Sequence, residues 1–151
     1  MNPWRFSFFF YSAVTVLAAN CVSIEGGAIE AIWDLRNAEG DRPPLDTFCQ
    51  EAQIASIYFE LTPVNNSNAN DPCLEDSRCR FDCQAGGGIT PFFIPEDDYA
   101  ISLKVVSTSG ASLSVSDGIT SPPPIVRHVK NGEITDLNIN VIKVERTIET
   151  R

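Results

Sequence analysis

The residues with the most chemistry in this chain are its five cysteines, at positions 21, 49, 73, 79 and 83. Cys73, Cys79 and Cys83 are separated by five and three residues. That is not zinc spacing, which uses close C-x2-4-C units or histidine partners, and the single histidine, His128, is far away in sequence. Disulfides are therefore expected, and four domain cysteines allow three pairings. If residues 79–83 are extended, Cys79 and Cys83 lie about 13 Å apart by strand rise. A bridge needs Cα atoms within roughly 7 Å, so that pair is disfavoured. Cys49–Cys83 with Cys73–Cys79 is the preferred set, and Cys49–Cys79 with Cys73–Cys83 stays open behind it.

Other groups invite chemical readings. Carboxylates cluster at Asp71, Glu75, Asp76 and Asp82, and again at Glu96, Asp97 and Asp98. Loop carboxylates bind Ca²⁺ when six to eight oxygens converge, but the spacing fits no EF-hand loop. Glycoside hydrolysis needs two carboxyls held roughly 5–10 Å apart, and nothing here fixes such a separation. His128, between Arg127 and Val129, has no G-x-S-x-G nucleophile elbow to serve. Gly86-Gly87-Gly88 lacks the Lys-Ser/Thr of a phosphate loop and is expected to be a turn. Trp33 is expected in the core. Tyr58, Phe92 and Phe93 are candidates for a surface that stacks on carbohydrate or contacts protein. Asn65-Asn66-Ser67 matches a glycosylation acceptor, which matters only in a eukaryotic secretory pathway.

The first residues say where this chemistry takes place. Met1 to Arg5 carries one positive charge, and Phe6 to Ala19 is an apolar or small-residue run of about 14 residues. A spanning helix needs roughly 20, so residues 1–20 are expected to be a cleaved export signal. Outside the cytoplasm disulfides persist. The charge balance is 11 Lys+Arg against 20 Asp+Glu, net −9. A surface of that sign repels phosphate backbones, so nucleic acid is not an expected partner.

Leu17-Ala18-Ala19-Asn20-Cys21 resembles a bacterial lipobox, in which the cysteine becomes the lipidated N-terminus. Lipoboxes prefer Gly, Ala or Ser before the cysteine, and Asn20 departs from that. The resemblance implies a membrane partner through a lipid on Cys21 and a place in the bacterial cell envelope. It also removes the odd thiol from the count. The other reading is cleavage after Ala19, giving a secreted protein.

The elements that would position these groups are strands. In Ala28–Arg36, Ile29, Ala31, Trp33 and Leu35 share one face, the period-two pattern of a half-buried strand. Gln53–Leu61 alternates with Ala55, Ile57, Phe59 and Leu61 inward, and Tyr99–Val106 with Tyr99, Ile101, Leu103 and Val105 inward. Cys79–Gln84 is a short strand candidate, and Leu113–Val115 returns from a turn at 107–110. Pro122-Pro123-Pro124 is a stiff connector. Ile125–Lys130 leads to Asn131-Gly132, a two-residue hairpin signal, and then to Ile134–Val144 with Leu137, Ile139 and Val141 inward. About seven strands without a long helix make an all-β, single antiparallel β-sandwich, disulfide-stapled, over 28–145. Residues 21–27 are read as a tether and 146–151 as a tail.

Pro95-Glu96-Asp97-Asp98-Tyr99, followed by Ile101 and Leu103, resembles an element of prealbumin-like sandwiches, including carboxypeptidase regulatory-like domains. Asp98 stands where a Gly usually precedes the Tyr. Val129 to Leu137 resembles their final hairpin. The resemblance implies a non-catalytic structural or binding module. The expected function is thus a non-enzymatic structural or protein-interaction module of the envelope, with no cofactor, meeting an unidentified envelope protein or glycan. A carbohydrate- or calcium-binding module is the alternative, and an enzyme using Asp82 or Asp97 is the third.

Overall fold

The structure is a computed structural model that describes residues 24–66 and 69–145. The leader, Cys21 and the tail from 146 lie outside the described residues. Two β-sheets face each other across one apolar core. Nine strands are present among the described residues. One sheet runs β4 (Gly87–Ile89), β1 (Ala28–Arg36), β9 (Ile134–Val144), β7 (Ile119–Thr120). The other runs β3 (Arg80–Asp82), β2 (Ile54–Pro63), β5 (Asp97–Ser107), with β6 (Ser112–Leu113) and β8 (Ile125–Val129) beside different ends of β5.

The core is what the alternation demands. Ile29, Ala31, Trp33 and Leu35 from β1 meet Ile57, Phe59 and Leu61 from β2 and Ile101, Leu103 and Val105 from β5, all buried. Each large apolar side chain taken fully out of water contributes about 1.5–3 kcal/mol. Phe81 on β3 leans into this core, with its ring centroid 5.1 Å from that of Phe59 and 6.3 Å from that of Trp33.

Several sequence expectations need correction. Nine strands stand among the described residues where about seven are expected, and the two added ones, β4 and β7, are only three and two residues long. The sandwich is not wholly antiparallel, since β1 and β9 pair in parallel. For the same reason Asn131-Gly132 does not close a hairpin: β8 goes to one sheet and β9 to the other. The turn is held by the N-terminal segment, with Gly132 N–H donating to Gly26 and Ala28 N–H to Glu133. Gly86 does turn the chain, at φ +69°, but Gly87 and Gly88 belong to β4. A Cβ on Gly88 would lie 2.3 Å from the Phe81 ring. Only Arg80–Asp82 of the 79–84 segment is strand, flanked by two 3₁₀ turns. On β2 an irregularity between Ile54 and Ser56 turns Ala55 outward.

The largest difference is on β9. Glu30 faces Asp136 and Ile32 faces Ile139, so two β9 residues oppose the single Ala31. This bulge, with Asn138 at φ +60°, reverses the phase of the strand. Leu137, Asn140, Ile142 and Val144 are buried, while Ile139 is exposed and Val141 half-exposed. One short helix was not expected, α1 (Leu45–Glu51), which buries Phe48 and Cys49.

Candidate functional site

The irregular region between β2 and β4 carries Asp71, Glu75, Asp76, Asp82, Cys73, Cys79 and Cys83, and two disulfides shape it. Cys49 of α1 is bonded to Cys83, with Cα atoms 6.1 Å apart, and Cys73 to Cys79, at 5.5 Å. All four are buried. The first bridge fastens α1 to the turn after β3. Trp33 fixes the same turn from the opposite sheet, its indole N–H donating to the Cys83 carbonyl at 2.9 Å. The second bridge closes a tight loop, and just before that loop Asp71 Oδ1 accepts from Cys73 N–H at 2.7 Å. Partial burial raises the Asp71 pKa, an effect that the Cys73 N–H partly offsets.

Tyr58, Phe92 and Phe93 stand in different surroundings. Tyr58 is half-buried on β2 and lines a cleft of about 160 Å³ with Leu74, Glu75, Arg80 and Ser112. The Arg80 guanidinium lies 5.7 Å from its ring. Phe93 is outside that cleft, packs on the core, and carries the Arg78 guanidinium 3.7 Å above its ring. Phe92 is exposed. Arg78 thus occupies the Phe93 face that a sugar would otherwise stack on.

The carboxylates are largely committed to the fold. Asp76 accepts from Arg78 Nη2 at 2.7 Å and from Arg78 N–H at 2.8 Å, which lowers its pKa. Asp82 caps Gln84 N–H at 2.8 Å, and Asp97 accepts from Asp98 N–H at 2.8 Å. Asp98 faces His128 across the β5–β8 ladder, 2.9 Å from its Nδ1, and accepts from Asn65 at 3.0 Å. The His128 hydrogen bond leads the causes that lower the Asp98 pKa. Glu96 accepts from Asn131 N–H at 3.2 Å. Among the described residues no group of three or more His, Cys, Asp or Glu side chains is placed to hold a metal ion.

Sequence reasoning missed the Asp98–His128 pair because it depends on the β5–β8 register. Tyr99 OH donates to the Pro95 carbonyl at 3.1 Å, tying down the corner that begins β5. No helix among the described residues is long and apolar enough to cross a membrane.

No family model matches the chain, and no curated protein matches it. Among solved structures it is similar to GBS52, the minor pilin of the Gram-positive pathogen Streptococcus agalactiae. The identity is 12% and the TM-score 0.40, over 83% of this chain and 48% of that one. The chain therefore spans about half the length of the structure it matches. A likeness at that level carries no functional argument.

Proposed function

We propose that this chain is an exported, non-enzymatic β-sandwich, tethered to the bacterial envelope by a lipid on Cys21, that works as a structural or protein-interaction module. The observation that supports it is the cysteine count. The two disulfides use Cys49, Cys73, Cys79 and Cys83, so of five cysteines only Cys21 is left over. That cysteine closes an apolar run in a lipobox-like sequence. Two disulfides suit an oxidising compartment, and a lipid would remove the one thiol that such a compartment leaves open to oxidation or cross-linking. A single acyl chain binds membranes marginally, so stable tethering takes more than one, which a diacylglyceryl group supplies.

The test is the intact mass and N-terminus of the protein recovered from its native envelope without reduction. The expected result is a mature chain that begins at a diacylglyceryl-modified Cys21 and keeps both disulfides. A chain starting at Asn20 with a free Cys21 overturns the tether and makes the protein a released one.

A further inference from the structure

Part-way along its length, β5 has no partner on the side away from β2. There β8 pairs with it from Asp97 to Ile101, and β6 at Val105 and Val106. Leu103 stands between them. The direction of its main-chain groups follows from the alternation of an antiparallel ladder. Ser107 N–H donates to Ala111, on the β6 side. Thr108 N–H donates to Gln53, and the Asp98 carbonyl accepts from Val64 N–H, both on the β2 side. Odd-numbered residues of β5 therefore turn away from β2, and the N–H and C=O of Leu103 both point into the gap. No hydrogen bond from the described residues reaches either group there. Extending the β8 register by two residues would set Pro123 opposite Leu103, and proline has no N–H to give. Extending β6 would set Val115 there, but Val115 has already turned into a 3₁₀ helix.

Leu103 is 2% exposed. A buried peptide group with both its donor and its acceptor unpaired is rare and costly. The gap opens into a slot of about 370 Å³, walled by Val115, Ile119 and Pro122 to Pro124. Lys104 is the charged residue of its lining, and Glu60 already pairs with it at 3.1 Å. The slot therefore suits an uncharged, extended stretch of main chain with an apolar side chain.

The end of β9 lies at the wall of the same slot. Val144 pairs with Ile119, and Glu145 N–H donates to the Gly118 carbonyl at 2.7 Å. Arg146-Thr147-Ile148-Glu149-Thr150-Arg151 follows from there. Six residues reach up to about 20 Å. Thr147, Ile148 and Thr150 are β-branched and favour an extended chain.

We propose that residues 146–151 fold back into this slot, pair their main chain with the N–H and C=O of Leu103, and place Ile148 between Val115, Ile119 and the prolines. The segment is joined to the slot's own wall, so its effective concentration there is in the millimolar range or above. An extended peptide of another protein has no such advantage. Docked in this way, the segment covers main-chain groups that a foreign strand could otherwise pair with.

The test is native-state hydrogen exchange, read residue by residue by NMR, on the exported chain with both disulfides intact. The Leu103 amide should be protected. Deleting residues 146–151 should cut that protection by about tenfold or more, and Ile148→Asp should cut it in the same direction. Ile101 and Val105, whose amides the same alternation gives to β8 and β6, serve as references and should keep their protection. Equal Leu103 protection with and without the segment overturns the proposal. So does a loss that Ile101 and Val105 share, which would be a general loosening of the sheet. Protection that rises with protein concentration would put the segment of a second copy in the slot, and overturns the fold-back as well.

Discussion

The indole N–H of Trp33 donates to the backbone carbonyl of Cys83 across the core, at 2.9 Å and with both residues fully buried. This one bond joins the first strand to the half-cystine that holds α1. Trp33→Phe removes this donor and leaves the carbonyl only the longer bond from Gly86 N–H, at 3.4 Å. The expected cost is about 1–2 kcal/mol, the net value of one buried hydrogen bond with a small cavity term added. Urea unfolding followed by circular dichroism measures it, and an unchanged midpoint would show the bond to be dispensable.

The two disulfides should contribute unequally. Cys49–Cys83 spans a sequence separation of 34 and Cys73–Cys79 a separation of 6. In the chain-entropy model the first contributes about 4 kcal/mol and the second about 2 kcal/mol. Paired serine substitutions, Cys49→Ser with Cys83→Ser and Cys73→Ser with Cys79→Ser, separate them by denaturant midpoint. Equal losses would place the effect of the bridges in the native state rather than in the unfolded chain.

Gly88 is needed because the Phe81 ring occupies the space a side chain would take. Gly88→Ala would set a Cβ 2.3 Å from that ring, with an expected destabilisation of about 1–3 kcal/mol. Phe81→Leu alone also destabilises, by thinning the contacts to Phe59 and Trp33. The double variant should lose less than the sum of the two, since the smaller side chain relieves the clash. Strict additivity would show that the two residues do not press on one another.

Acid titration should separate carboxylates of opposite sign. Asp98 has its pKa lowered by hydrogen bonds from His128 and Asn65. Its stabilising effect is complete above the unfolded value, about 3.9, and is lost as pH falls through the lower folded value. His128→Ala should therefore flatten the acid limb of stability below about pH 4. Asp71 behaves the other way, because burial raises its pKa. Its ionised form costs stability above the raised folded value, and the cost disappears below the unfolded one. Asp71→Asn keeps an acceptor for Cys73 N–H, so it should stabilise the protein at neutral pH and lose that advantage in acid. Melting temperature against pH reads both effects.

How much of this could be read from the sequence depended on whether a feature was local. β1 and β5 were legible because each keeps one apolar face with no interruption, Ile29 to Leu35 and Tyr99 to Val105. α1 has a local signal too, with Leu45, Phe48, Cys49 and Ala52 at helical spacing after Pro44. The destination of β9 was not local. Asn131-Gly132 has the composition of a hairpin turn, with Gly132 at φ +74°. Nothing in those two residues says that β1 takes the place beside β9 that β8 would have filled. The committed state of the carboxylates was hidden for the same reason, since Asp98 meets His128 only through a register between distant strands.

The bulge in β9 can be tested at the two asparagines that support it. Asn138 holds φ at +60°, a region asparagine tolerates and β-branched residues avoid. Its N–H is capped by Asp136 at 2.6 Å. Asn140 turns its amide inward and donates to the carbonyls of Asn138 at 3.1 Å and of Leu137 and Ile32 at 3.4 Å. Asn138→Gly should leave stability unchanged or raise it, whereas Asn138→Val should cost about 1–2 kcal/mol from backbone strain alone. Asn140→Ala should cost about 1–3 kcal/mol, because the carbonyls that the amide served stay buried. The opposite ranking at position 138, valine tolerated and glycine not, would mean that the strand runs without its bulge. Ile139 would then lie in the core.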